Sequence, residues 1–165
     1  MALPDKDNPA AQAMAHALKL LRHRARSRHE LSLALARKGF SEDVAHATLA
    51  RLAELGYLDD ARFARARAES LLSAGRLGEA SVRERLLAHG LSESEADAAL
   101  ADAKAEVGFD ALASGRTLLQ RRRLWGRPLD EREKAQAARF LTARGFSEDD
   151  VERLLRLASV LESPR

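Results

Sequence analysis

The chain has 165 residues, a formal net charge of +3, and 45% hydrophobic but only 4% aromatic residues. Alanine and leucine therefore fill the apolar positions, which is a helical composition, and the lack of cysteine excludes disulfides, thiol catalysis and a thiolate zinc site. No run approaches the ~18 uninterrupted apolar residues of a membrane span, and the polar start, Met1 to Pro9 with Asp5 and Asp7, does not read as a signal peptide, so a cytoplasmic protein is expected.

Residues 1–9, with Pro4 and Pro9 and no periodicity, are expected to form a mobile tail. A first helix is predicted from about Ala10 to Arg22, burying Met14, Leu18 and Leu21 at spacings of four and three. His23 to Arg26 has no apolar face and reads as a turn. Ser27 and Glu30 form a capping box that opens a second helix toward Lys38, and a third runs from Ser41 to near Leu55. Gly56-Tyr57-Leu58-Asp59-Asp60 closes it, and the paired carboxylates of Asp59 and Asp60 are assigned to capping rather than to acid–base work. A fourth helix, about Asp60 to Ser73, is expected to place Phe63, Ala66 or Arg67, and Ser70 or Leu71 along one side. Gly75 and Gly78 make the next turn, a fifth helix starts at Ser81 or its neighbours, and Ser92-Glu93-Ser94-Glu95 caps the sixth. After Gly108-Phe109 a further unit starts at Asp110, breaks at Gly126-Arg127-Pro128, restarts at Asp130 with Glu133 as its box partner, and finishes near Leu161, with 162–165 as a frayed end.

An internal repeat runs through these elements. Lys38-Gly39-Phe40-Ser41-Glu42 returns as His89-Gly90-Leu91-Ser92-Glu93 and as Arg144-Gly145-Phe146-Ser147-Glu148, with the glycines 51 and 55 residues apart. In each, the glycine takes the left-handed position that ends a helix, the apolar residue folds back, and the serine caps the next helix. Six, ten and thirteen residues beyond the glycines stand Ala45, Leu49, Leu52, then Ala96, Leu100, Ala103, then Val151, Leu155, Ala158. Before them stand Leu31 and Leu35, Val82 and Leu86, Ala137 and Leu141. Both helices around each joint thus carry a buried stripe. The expectation is an all-α fold of three tandem trihelical repeats, over 10–58, 59–108 and 109–161, forming an elongated, curved rod.

Charge is uneven along the chain. Lys19, Arg22, Arg24, Arg26, Arg28, Arg37 and Lys38 face Glu30 alone, whereas Tyr57 to Val107 holds seven Lys/Arg against ten Asp/Glu, and Arg121, Arg122, Arg123 and Arg127 make the last part basic again. These arginines suit an acidic partner or nucleic acid. Trp125, next to the Arg121-Arg122-Arg123 run, is read as pinning a helix end with Leu124, base stacking being the alternative. His16, His23, His29, His46 and His89 give no metal-ligand spacing, and neither a phosphate-cradling loop nor a Gly-x-Ser-x-Gly turn occurs. A binding protein is expected, without catalytic residues, cofactor or metal.

At Gly56-Tyr57-Leu58-Asp59-Asp60-Ala61-Arg62-Phe63-Ala64, with Ala17-Leu18-Lys19-Leu20-Leu21, Ser27 to Leu31, Lys38-Gly39-Phe40, Gly90-Leu91-Ser92 and Ala135 to Ser147, the chain resembles the RecX family, regulators of the recombinase RecA. The resemblance implies a helical three-repeat protein that binds the RecA filament along its groove and limits ATP hydrolysis and strand exchange in recombination and repair; a monomer is expected because the sequence shows no large leftover apolar stripe. Arg22, Arg24, Arg26, Arg28, Arg37, Lys38, Arg121, Arg122, Arg123 and Arg127 would then meet acidic RecA surface, filament-held single- or double-stranded DNA, or both. Glu79, Ala80 and Ser81 stand where the family usually has basic residues, which points to the first and third repeats as the binding parts. The rival readings are a helix-turn-helix-like DNA-binding module and a helical scaffold for another protein partner.

Overall fold

The computed structural model describes residues 8–160; most of the expected N-terminal tail and the expected C-terminal frayed end lie outside the described residues. The fold is all-α. Among the described residues it has nine helices and no strand: α1 (Pro9–His23), α2 (Arg28–Arg37), α3 (Glu42–Glu54), α4 (Asp60–Ser73), α5 (Glu79–Ala88), α6 (Glu93–Val107), α7 (Ala111–Arg121), α8 (Glu131–Thr142) and α9 (Glu148–Val160). The three capping boxes form as expected: Ser27 with Glu30, Ser92 with Glu95 and Asp130 with Glu133 each exchange side-chain and backbone hydrogen bonds. The chain gathers into two compact units, one up to Ala64 together with Leu87–Ala96, the other Arg65–Leu86 together with Asp97 onward.

In the first unit, Ala13, Ala17, Leu31, Leu35, Ala45, Leu49, Leu52 and Leu58 form a core. Here α1 departs from its predicted face. Ala13 and Ala17 are fully buried, while Met14, Leu18 and Leu21 lie half-buried around the core's edge. An alanine seam lets α1 lie close on its neighbours, and the longer side chains then close over the flanks; spacing alone does not separate seam from flank. In the second unit, Leu118, Leu119, Leu124, Leu129, Ala137, Leu141, Phe146, Val151, Leu154 and Ala158 form the core. Leu154 takes the central place and Leu155 the edge, one position off the expected stripe. Gly115 explains the close approach of α7, because a Cβ there would overlap Leu154.

In α4 the line Phe63, Arg67, Leu71 is the one turned inward, with Arg67 half-buried, and the buried face also takes in Ala64, Ala68 and Leu72 and leaves Ala66 and Ser70 exposed. That face follows the small residues at a spacing of four, as in α1. Helix α5 begins at Glu79, in the expected neighbourhood of Ser81, where Gly78 accepts the first helical bond, from Val82.

Helix α7 ends on a residue that is not glycine. The Arg123 amide donates to the Gln120 carbonyl and the Leu124 amide to the Leu119 carbonyl, which makes a Schellman cap with Arg123 at φ +60°. Arg123 is the one non-glycine residue with positive φ among the described residues. Replacing Arg123 by Gly is expected to stabilise the fold by about 1 kcal/mol and raise Tm by roughly 2–4 °C. A lower Tm would mean that the Arg123 side chain contributes more than the left-handed backbone costs.

Candidate partner and nucleic-acid interface

The ten basic residues singled out by sequence divide into two kinds. Arg24 and Arg127 are tied into the fold. The Arg24 guanidinium donates to both carboxylate oxygens of Glu30 at 3.2 and 2.8 Å, and Arg127 grips Glu133 in the same two-pronged way while donating to the carbonyls of Arg123 and Pro128 at 3.1 Å each. Both carboxylates belong to capping boxes, so the same spacing, arginine, cap three residues on, glutamate three further, anchors the start of α2 and of α8. Burial alone would raise the Glu30 carboxyl, but the hydrogen bonds from Arg24 and the Ser27 amide outweigh it and hold it below the usual range. Arg127, aided by the Asp130 amide, does the same to Glu133.

The other eight form no ion pair among the described residues. In the first unit Arg22, Arg28, Arg37 and Lys38 are exposed, and Arg26 is half-buried with its Nε enclosed and unpartnered. Arg22 shares a small pocket with Lys19 and His23 at the end of α1. Arg28 lies on the rim of an open cleft of about 600 Å³ whose floor is Phe40, Ala45 and Leu49 and whose rim also carries His29, His46 and Asp60.

In the second unit Arg121, Arg122 and Arg123 are exposed at the end of α7. The Arg122 guanidinium lies over the Phe140 ring, 3.9 Å from its centre, and Arg144 lies over the same ring at 4.1 Å. Arg116 stands over Trp125 at 5.5 Å. Trp125 is half-buried against the core beside Leu124, as its assignment to the helix end requires. One ring thus holds two guanidiniums of like charge, neither of which forms an ion pair among the described residues. Arg116, Phe140 and Arg144 carry no binding signal in the sequence: Arg144 stands there only as the first residue of a pentad, and Phe140 sits a helix away from Arg122.

Asp59 and Asp60 both cap, although not the same helix. Asp59 accepts from the Arg62 amide at 3.0 Å, at the start of α4, whereas Asp60 reaches back and accepts from the Arg28 amide at 2.8 Å, at the start of α2. Ser27, fully buried, donates its hydroxyl to the His89 carbonyl at 2.7 Å. Thus the basic turn before α2 is fixed from three sides: by Glu30, by Asp60 and by the end of α5. No group of three or more His, Cys, Asp or Glu able to hold a metal ion occurs among the described residues, and no helix there is long and apolar enough to cross a membrane.

Comparison with known proteins agrees with this architecture. Residues 13–52 match the family description "RecX, first three-helix domain" and residues 59–100 match "RecX, second three-helix domain". The chain is 38% identical over 135 residues to the regulatory protein RecX of Halorhodospira halophila, covering 82% of this chain and 81% of that one. It is 40% identical over 136 residues to regulatory protein RecX of Thermus thermophilus, covering 82% and 84%. The crystal structure of RecX from Lactobacillus salivarius superposes with a TM-score of 0.72 at 18% identity, over 90% of this chain and 95% of that one, a likeness of fold. Matched to such relatives over four fifths of their length, the chain belongs to the RecX family of regulatory proteins.

Proposed function

We propose that this protein binds the RecA filament and restrains its ATP hydrolysis and strand exchange, acting in the cytoplasm during recombination and repair. The observation that carries the reading, beside family membership, is the separation of its arginines. Those at Arg24 and Arg127 are spent on glutamates, while Arg22, Arg26, Arg28, Arg37 and Lys38 in one unit and Arg121, Arg122, Arg123 and Arg144 in the other keep their charge for a partner. Acidic protein surface and DNA phosphate both suit such groups, and binding to either weakens as salt rises. The same reading divides the chain into trihelical repeats over 10–58, 59–108 and 109–161. The place of each pentad between the second and third helix of a successive set of three supports it, as do the two three-helix matches.

The test is ATP hydrolysis by RecA on single-stranded DNA, with this protein titrated from far below to above one copy per RecA protomer. The expected result is inhibition. Inhibition well below one copy per protomer would indicate capping of filament growth or a spreading change in the filament, and inhibition only near saturation would indicate occupancy of the groove. No effect at any ratio, with active RecA and a folded helical titrant, would leave the family fold serving another partner.

A further inference from the structure

The three pentads end α2, α5 and α8 in the same way, yet they differ in what lies against them. The joint ending α5 is covered by the first turn of α2: Ser27 donates to the His89 carbonyl at 2.7 Å, and the His29 side chain fills the space where a Cβ of Gly90 would project. The joint ending α8 is covered by the first turn of α5: the Gly78 amide donates to the Arg144 carbonyl at 2.7 Å, the Ala80 amide donates to the Gly145 carbonyl at 3.1 Å, and Ser81 fills the space beside Gly145. Ser27 and Gly78 occupy equivalent places, each twelve residues before its own pentad glycine, and His89 and Arg144 each directly precede theirs. One docking contact is therefore made twice, once in each unit.

Among the described residues the first joint has no such cover. Gly39 has φ +94° with nothing within 4 Å of the position a Cβ would take, and the Lys38 carbonyl, the counterpart of the two acceptors above, receives no hydrogen bond among the described residues. Arg37, Lys38 and Gly39 are all exposed. We infer that the Lys38–Gly39 joint is a docking surface for the first turn of a helix presented by the partner, which, on the reading above, is a RecA protomer. The chemistry of the occupant follows from the two copies inside the chain. Its capping residue is small and offers an O–H or N–H, as Ser27 and Gly78 do, so that a donor reaches the Lys38 carbonyl. Its first turn carries an acidic residue, as both internal copies do with Glu30 and Glu79, here set against Arg37 and Lys38. Opposed helix ends add their dipoles favourably.

A second copy of this chain does not supply that turn by continuing the series. The cap of α8, Asp130, stands fifteen residues before its glycine rather than twelve; its side chain only accepts, and its amide is already given to Glu133.

The test uses Gly39→Asn, with Gly108→Asn as its control. Both glycines have positive φ and open surroundings, and asparagine is the side chain that tolerates such a backbone best; Gly39 at φ +94° lies farther from the left-handed well than Gly108 at φ +59°, so inhibition is compared at matched folded fraction. With matched melting curves, Gly39→Asn is expected to raise the concentration needed for half-inhibition of RecA by about tenfold and Gly108→Asn by less than about twofold, since loss of ~1.4 kcal/mol is a factor of ten. If Gly39→Asn melts early, the absence of cysteine allows a second route: Lys38→Cys labelled with a bulky maleimide blocks the joint and leaves Gly39 intact, and the same loss is expected. Undiminished inhibition by either blocked protein removes the joint as a docking surface while the filament reading stands. Failure of the unmodified protein to inhibit removes the filament reading, and this occupant with it.

Discussion

Gly78→Ala is expected to destabilise the protein by about 3 kcal/mol or more, lowering Tm by roughly 6–12 °C for a chain of this size. Gly78 is buried, and a Cβ there would overlap the Gly145 carbonyl and the Phe146 amide, backbone atoms that no rotamer change can move. Those atoms are themselves fixed. Phe146 is part of the second unit's core, and its amide donates to the Leu141 carbonyl at 3.2 Å. Relief would come only by parting α5 from the α8 joint, at the loss of the bonds to the Arg144 and Gly145 carbonyls, each worth ~0.5–1.5 kcal/mol. Gly75→Ala makes the comparison. That glycine has φ +63° but open surroundings, so its variant carries left-handed strain of about 1–2 kcal/mol and no overlap. Denaturant or thermal unfolding of the pair decides the matter, and equal losses would mean that the docking contact yields without cost.

The docking contact also accounts for a departure in the sequence. Where Ser27 caps α2 with its side chain and uses the same hydroxyl on His89, the equivalent Gly78 has no side chain and turns its own amide to Arg144. Either a hydroxyl or a bare amide brings a donor to the carbonyl, and both keep the approach close. Read as a turn former alone, Gly78 gives no hint of this.

What could be read without coordinates was what is local or periodic. The pentads, the capping boxes and the stripe Leu31, Leu35, Leu49, Leu52 depend on contacts within one or two helices, and the residues needed stand three, four or seven apart. The fully buried Leu31, Val82, Leu86, Ala137 and Leu141 lie where the repeat put them. Face assignment failed where alanine competes with larger residues, as at Ala13 and Ala17, because burial there depends on how near the neighbouring helix comes. The candidate interface was less legible still. Composition marks arginines as a class, but whether an arginine is free depends on a glutamate such as Glu133 coming within reach, and the meeting of Arg122 and Arg144 over Phe140 joins residues from three places in the chain.

That meeting sets the second large expectation. Arg122→Gln combined with Arg144→Gln should weaken inhibition of RecA by about tenfold or more and reduce the dependence of log affinity on log salt by roughly two, while Tm changes little. The ring contacts are surface cation–π pairs worth about 0.5–1 kcal/mol each, so the fold can lose them, and neither side chain holds a carboxylate. Arg127→Ala should behave in the opposite way: its removal leaves Glu133 without its partner and strips the α8 cap of support, so Tm falls while inhibition per folded molecule stays near that of the unmodified protein. The contrast separates charge that builds the protein from charge that meets a partner. If the glutamine pair inhibits normally and Arg127→Ala does not, the ion-paired arginines would be the ones the filament sees. Direct binding to bare single-stranded DNA refines the outcome: equal weakening there and on the filament identifies the opposing anion as phosphate, and weakening on the filament alone identifies it as a carboxylate of RecA.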